Sequence, residues 1–378
     1  MDAATVRNLI VGPRPGWTGG QYSIVRCVLG VIVAVTAVRS TFAAIGDADF
    51  DSRIPHWLIA CLAILATIGG LLIAVGWRDR IASIVTMVCL IAMVLGAPEQ
   101  YGVMQFMLAP AALILHVMTP AAPYGSVDAA GREELARDWT LPRSVWMLAW
   151  IIVIAAMGWC EIELANRAEP SREVAAWLVR SMAGCALVAA FLSVWPRTRK
   201  WAWVTFVLLF ITLMTAAPTA SPGGGLIPII LLTANPAWID PKSSGAKETL
   251  YYDGTCGLCH RAVRFVLAED HAGAFQFSPL QGKSIQQRLS ETQRASLPDS
   301  IVVVTADGRI LTRSAAVMHV LARLGGMWRV LGALAGVLPR SVFDWQYDRI
   351  ASVRLRIFRR PDDACPAIAE QWRSRFLP

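Results

Sequence analysis

Read along the chain, apolar positions gather into long stretches up to about Ile239 and then give way to short alternating runs. A helix needs about 20 mostly apolar residues to cross the hydrocarbon core of a bilayer. Eight stretches are candidates, near 23–45, 55–76, 80–97, 102–119, 142–162, 174–195, 200–217 and 223–239. The last is short, opens on Pro222 and three glycines and is interrupted by Pro228; such breakers are tolerated where neighbours satisfy the freed backbone groups. Residues 1–22 hold Gly and Pro instead of an apolar core, so the pattern predicts an uncleaved first anchor and no cleaved leader.

After the Pro- and Ser-containing stretch around Asn235–Lys247 the period changes. "ETLYYD" reads as a strand, Cys256 to about Ala268 as a helix, "AFQFSPL" as a strand, and Gly282 to about Arg294 as a helix. "SIVVVT" and "RILTR" read as a hairpin around Asp307-Gly308. Ser314 is a candidate N-cap for a helix ending near Leu324, and helical segments follow at about 327–338 and 341–357. The expected fold is therefore a polytopic α-helical membrane bundle of about eight spans (1–236), a linker (237–247) and a C-terminal thioredoxin-like α/β domain with a helical extension (248–378).

Composition strengthens the first half of this picture. The chain is 55% apolar and 16% charged, with mean hydropathy +0.49, against about 25% charged residues in a soluble protein. Charge adds orientation. Ten Lys or Arg residues fall before span one and between spans two and three, four and five, and six and seven, against three (Arg53, Arg167, Arg172) in the alternate loops. By the positive-inside rule both termini face the cytoplasm, most simply of a bacterial inner membrane. A loose internal repeat links residues 69–98 and 185–218, each an apolar pair of helices around a Trp-led basic turn. Arg39, Glu161 and Arg180 mark either a polar cavity or interfacial anchoring. The net charge of +8 lies mostly after the spans. There "RIASVRLRIFRR" is either a face for anionic headgroups or a solvated helix face. Beyond charge, nothing points to nucleic acid.

The chemistry concentrates at Cys256-Gly-Leu-Cys259, between the first strand and its helix. A helix N-terminus carries partial positive charge and unpaired N–H groups, which stabilise a thiolate. Cys256 is expected as the exposed attacking sulfur and Cys259 as the inward resolving one. His260 and Arg264, at i+4 and i+8, would share the face of Cys256, and Asp253 would oppose the thiolate or relay a proton to Cys259. A zinc reading would need Cys365 and His260 or His271 as further ligands and lacks a second Cys-x-x-Cys, so no metal is expected. The five cysteines in or beside the spans fit helix packing better than a trans-membrane thiol relay.

The motif Asp253-Gly-Thr-Cys256-Gly-Leu-Cys259, with "RAVRFVLAED", "FQFSPLQG", "DGRILTRSAAVMHVLARLGG" and a late "RRPDDACP", resembles the DCC family of predicted thiol–disulfide oxidoreductases over about 248–378. The resemblance implies a thioredoxin-like fold, Cys256 and Cys259 as the redox pair, Asp253 as the motif acid and Cys365 as the late cysteine. It supplies no substrate. Thioredoxin relatives place a cis-proline before the third strand, where this chain has Asp299-Ser300; Thr312-Arg313-Ser314 could instead hold an anion such as a glutathione carboxylate. "YSIVRCVLGVIVAV" and "GWRDRIASIV" resemble HTTM and DoxX-like membrane domains. The expected function is a membrane-anchored thiol–disulfide oxidoreductase that needs no cofactor beyond its Cys pair and exchanges with a partner protein or small thiol. Neither quinone nor glutathione is required by any residue. The competing expectation is a transporter or carboxylase-like membrane enzyme whose C-terminal domain senses redox state.

Overall fold

The computed structural model describes residues 16–46, 51–98, 100–101, 103–130, 139–167, 173–216, 223–242, 245–298, 300–357 and 370–378. They divide into two compact units. One lies within Met1–Trp17, Tyr22–Ala130 and Thr140–Asn235, the other within Thr18–Gln21, Gly131–Trp139 and Pro236–Pro378.

The first unit is helical. Its helices are α1 (Gly19–Gly46), α2 (His56–Val75), α3 (Asp79–Gly96), α4 (Val103–Val117), α5 (Arg143–Arg167), α6 (Glu173–Ser193), α7 (Arg199–Ala216) and α8 (Leu226–Thr233). One falls on each candidate stretch. Among the described residues four are long and apolar enough to cross a membrane: Gly19–Gly46, His56–Val75, Asp79–Gly96 and Arg143–Asn166. Phe106–Val117 and Ser181–Ser193 are shorter apolar helices. Helices α1 and α2 touch backbone to backbone, and glycine makes this possible. A Cβ on Gly30 would lie 2.4 Å from Gly70 O, and one on Gly70 would lie 2.7 Å from Gly30 O. Small residues serve close helix crossings in this way.

Polar side chains turn into this unit. Tyr22 Oη lies 2.6 Å from His116 Nδ1, and His116 Nε2 lies 3.6 Å from Asp79 Oδ2. Tyr22, Arg26, Asp79 and His116 are all buried. No ligand spacing surrounds His116 along the chain, because its partners come from two other helices. Of the two readings of Arg39 and Glu161, the shared cavity finds no support: Arg39 is exposed and Glu161 is buried. The Arg180 side chain lies outside the described residues.

The second unit is a small mixed sheet with helices. Its elements are β1 (Glu248–Tyr252), α9 (Gly257–Glu269), β2 (Phe275–Pro279), α10 (Lys283–Arg288), α11 (Glu291–Ala295), β3 (Val302–Val304), β4 (Ile310–Thr312), α12 (Arg313–Leu324), α13 (Gly326–Ala335) and α14 (Arg340–Ile357). The order is the expected one, except that the helix foreseen over 282–294 is split. Ser290 ends the first piece and opens the second with a capping box to Gln293. Strand order is β2-β1-β3-β4, with β1 parallel to β2 and antiparallel to β3, and β4 antiparallel to β3.

Period-two alternation splits the strands between two cores. Leu250, Tyr252, Phe275, Phe277 and Val303 meet Val263, Val266 and Leu267 of α9. Tyr251, Val302 and Val304 meet Ile285 and Leu289 on the other face. One buried acid is charge-paired: Glu248 Oε2 meets His319 Nε2 at 2.6 Å and Arg323 Nε at 3.6 Å. Glu269 is a hub. Its carboxylate accepts from the Thr18 hydroxyl, from Gly20 N–H at 3.0 Å and from Trp328 Nε1 at 2.6 Å. Burial raises its pKa above the ordinary carboxylate range, and those hydrogen bonds offset only part of the rise.

Candidate functional site

The β1 strand delivers the chain to Asp253-Gly-Thr-Cys256, and Cys256 is the N-cap of α9. Its Sγ accepts the Cys259 N–H at 3.4 Å. This is the position of a serine or aspartate cap, filled by sulfur. Both thiols are free. The turn before them is fixed by Asp253, whose Oδ1 accepts from Thr255 N–H (2.9 Å), Thr255 Oγ1 (2.8 Å) and Gln281 Nε2 (3.1 Å). Arg354 of α14 approaches Asp253 Oδ2 at 3.5 Å. Burial would raise the Asp253 pKa, but the Thr255 and Gln281 hydrogen bonds and the Arg354 charge outweigh it and hold the carboxylate below its ordinary range.

Cys259 goes the other way. Burial, then the side-chain hydrogen bond and charge of Cys256, push its thiol up to about 12, against a smaller opposing pull from Arg354. Of the two sulfurs, Cys259 is the one that burial holds as the thiol.

Several expectations change here. The exposed attacking sulfur is not exposed: Cys256 is 0% accessible and Cys259 6%. Cys256 packs in the sheet core, whose cover comes from helices far along the chain. His260 does not turn its charge to Cys256; its Nε2 donates to Gly254 O at 3.0 Å and its ring stands edge-on to Tyr252. It braces the turn. Arg264 is half-buried two turns along α9. Thr312, not Ser314, is the N-cap of α12, and the donors foreseen for an anion are taken by the chain itself. Asp344 accepts from Ser314 N–H (3.2 Å) and Ser314 Oγ (2.5 Å), and Asp348 pairs with Arg313 at 3.2 Å. Ser300 is buried before β3, with no cis peptide bond among the described residues. Asp299 and Cys365 lie outside the described residues.

Arg354 is the site residue that sequence reasoning missed. It lies within "RIASVRLRIFRR", expected to face headgroups or solvent, yet it is 3% exposed and turned to the motif acid. Helix α14 also places Tyr347, whose Oη accepts from Ile301 N–H at 2.9 Å. Between α9, α12 and α14 lies a cavity of about 470 Å³, walled by Cys259, Ala262, Val317, Leu321, Phe343 and Ala351, with Arg354 also on its lining. Cys256 is not on that lining.

Such a pair can hold two electrons as a dithiol and give them up by exchange, becoming a disulfide. A family model described as DCC1-like thiol-disulfide oxidoreductase matches residues 250–360. The uncharacterized protein YuxK of Bacillus subtilis is 34% identical over 135 residues, 35% of this chain and 94% of the relative. A chloroplastic DCC family protein of Arabidopsis thaliana is 28% identical over 129 residues, 33% of this chain and 75% of the relative. No solved structure matches the chain significantly.

Proposed function

Because the chain belongs, through its C-terminal part, to the DCC1-like thiol-disulfide oxidoreductase family, we propose that it is a membrane-anchored thiol–disulfide oxidoreductase whose Cys256–Cys259 pair cycles between dithiol and disulfide. The observation that carries this reading is the Cys256 sulfur at the N-cap of α9, receiving the Cys259 N–H. The cap and the first-turn dipole favour negative charge on Cys256, while Cys259 keeps its proton. The low, fully engaged Asp253 carboxylate fits an acid that orders the turn better than one that relays protons. The sheet order and the pair's place at the start of α9 support a thioredoxin-like domain.

The helical unit is the anchor in this reading. Eight spans with both termini in the cytoplasm of a bacterial inner membrane agree with the Lys and Arg distribution. In a reducing cytosol the pair rests reduced and serves to reduce a partner thiol protein or small disulfide. The pair itself suffices as redox centre. A second reading, an HTTM- or DoxX-like unit with an activity of its own, has one observation in favour: the buried Asp79–His116–Tyr22 set, since ionisable groups within spans usually serve function.

Thiol trapping in intact cells tests the first reading. A protein retaining only Cys256 and Cys259 should show a reversible two-thiol shift on oxidation and react only with a membrane-permeant maleimide. A pair that never oxidises sinks the redox function. Reaction with an impermeant maleimide moves the pair to the other side of the membrane and reverses the direction of its chemistry.

A further inference from the structure

Resting on that reading, and deepening it, we propose that the cavity between α9, α12 and α14 binds a small apolar disulfide and that the mixed disulfide forms on Cys259, with Cys256 as the resolving sulfur. This inverts the order expected from the sequence. The reason is access. Thiol–disulfide exchange requires the incoming sulfur to reach the sulfur it bonds. Cys259 lines a cavity of about 470 Å³, and Cys256, 0% accessible, does not. The volume is that of a small-molecule site, and most of the wall is hydrocarbon from Ala262, Val317, Leu321, Phe343 and Ala351. A charged or strongly hydrated disulfide would lose its water there without replacement.

The pair is arranged for this order. The Cys259 thiol is hydrogen-bonded to Cys256. Cys256 enters the reaction as the thiolate, and as Cys259 Sγ attacks one sulfur of R–S–S–R its proton passes to Cys256. The R–S–S–R bond breaks, a Cys259–S–S–R bond forms, and the first R–S⁻ leaves and takes the proton from Cys256. Cys256 thiolate, held by the N-terminus of α9, then attacks Cys259 Sγ. The Cys256–Cys259 bond forms and the second R–S⁻ leaves to take a proton from water. Two protein thiols are oxidised to one disulfide, and one substrate disulfide is reduced to two thiols. Arg354, on the cavity lining and buried, favours the negative charge that develops on Cys259 during the first attack.

The test uses the full-length reduced protein in detergent with two dialkyl disulfides of like S–S chemistry, dibutyl disulfide and bis(2-hydroxyethyl) disulfide. Dibutyl disulfide should oxidise the pair about tenfold faster, the factor that burying roughly two methylene groups provides. Ala351→Trp, which fills the cavity, should abolish that preference; partition of the reagent into micelles would survive it. Val317→Phe on another part of the wall replaces it if Ala351→Trp does not fold. Peptide mapping at alkaline pH, where hydroxide takes the Cys259 proton in place of Cys256, should find the butylthio adduct on Cys259 in Cys256→Ser and little on Cys256 in Cys259→Ser. Faster adduct formation on Cys256, or a preference unchanged in both wall variants, overturns the proposal. Either result leaves the pair's redox function standing, whereas a wild-type pair that neither reagent oxidises removes that function itself.

Discussion

In the helical unit Leu65, Ile68, Leu71 and Leu187 point outward, while Arg26, Asp79 and His116 are buried. In the sheet unit Phe275, Phe277 and Val303 are fully buried, and the buried acids Glu248 and Asp270 are each met by an arginine. One rule produces both arrangements. Apolar surface seeks an apolar neighbour, and the neighbour differs: other side chains inside the second unit, and for the first unit, in the anchor reading proposed above, hydrocarbon around it. Polar groups follow the complement. In the helical unit they gather inside, where Tyr22 hydrogen-bonds His116 and Asp79 stands 3.6 Å from the other ring nitrogen. In the sheet unit the core acids Glu248 and Asp270 come with an opposite charge, and Glu269 with three neutral donors.

The contrast is broken most severely by Glu248→Ala. It leaves Arg323 beside an empty acid position in a dry core and should cost about 3–5 kcal/mol, read as the loss of denaturant stability of the purified protein. Next comes Leu65→Asp, in the middle of α2 and half exposed. If lipid surrounds that face it should cost about 2.5–3.5 kcal/mol, read as a fall in the membrane-inserted fraction; an unchanged fraction would place the face in water.

A third effect is a slope with pH. The Cys259 pKa is raised from 9.0 to about 12. The stability it contributes is therefore full below about pH 9 and declines as pH rises towards about 12, by at most about 1.4 kcal/mol per pH unit. Cys259→Ala should remove that alkaline slope in urea titrations. Asp253 has the opposite sign. Its lowered pKa means stability present above the ordinary carboxylate range and lost as pH falls through the folded value. The smallest change should come from Leu338→Asp in the sheet unit. Leu338 is also about half exposed, but in water the effect should stay within about 0.5 kcal/mol. A cost near that of Leu65→Asp would mean that this face too meets hydrocarbon.

The sequence made local features legible. Alternation in "ETLYYD" and "SIVVVT" located strands, and the Cys-x-x-Cys spacing located a helix start, because both are decided within a few residues. What it hid depends on distant segments. The burial of Cys256 comes from packing across the sheet core, the Asp253 partner Arg354 sits in a helix that reads as a basic surface, and Asp344 fills the donors of Ser314 that looked ready for an anion. Arg354 carried a faint signal, since it stands among Val, Leu and Ile at helical spacing, but the same spacing describes a headgroup-binding face. The Tyr22–His116–Asp79 set had no local signal, as its members lie on three helices.

The Glu269 hub has a consequence for how the chain is made. Its hydrogen bonds to Thr18 and Gly20 span 251 and 249 positions. A ribosome finishes every helix of the first unit before Glu269 exists, so residues 18–21 must wait, unpartnered, for nearly the whole of synthesis. The sheet unit is thus completed last and from both directions of the chain. A fragment begun at Pro236, where composition suggests a clean cut, would keep the Cys pair but strip Glu269 of two of its three donors. It should be expressed with residues 16–21 supplied in trans before its redox behaviour is compared with that of the intact protein.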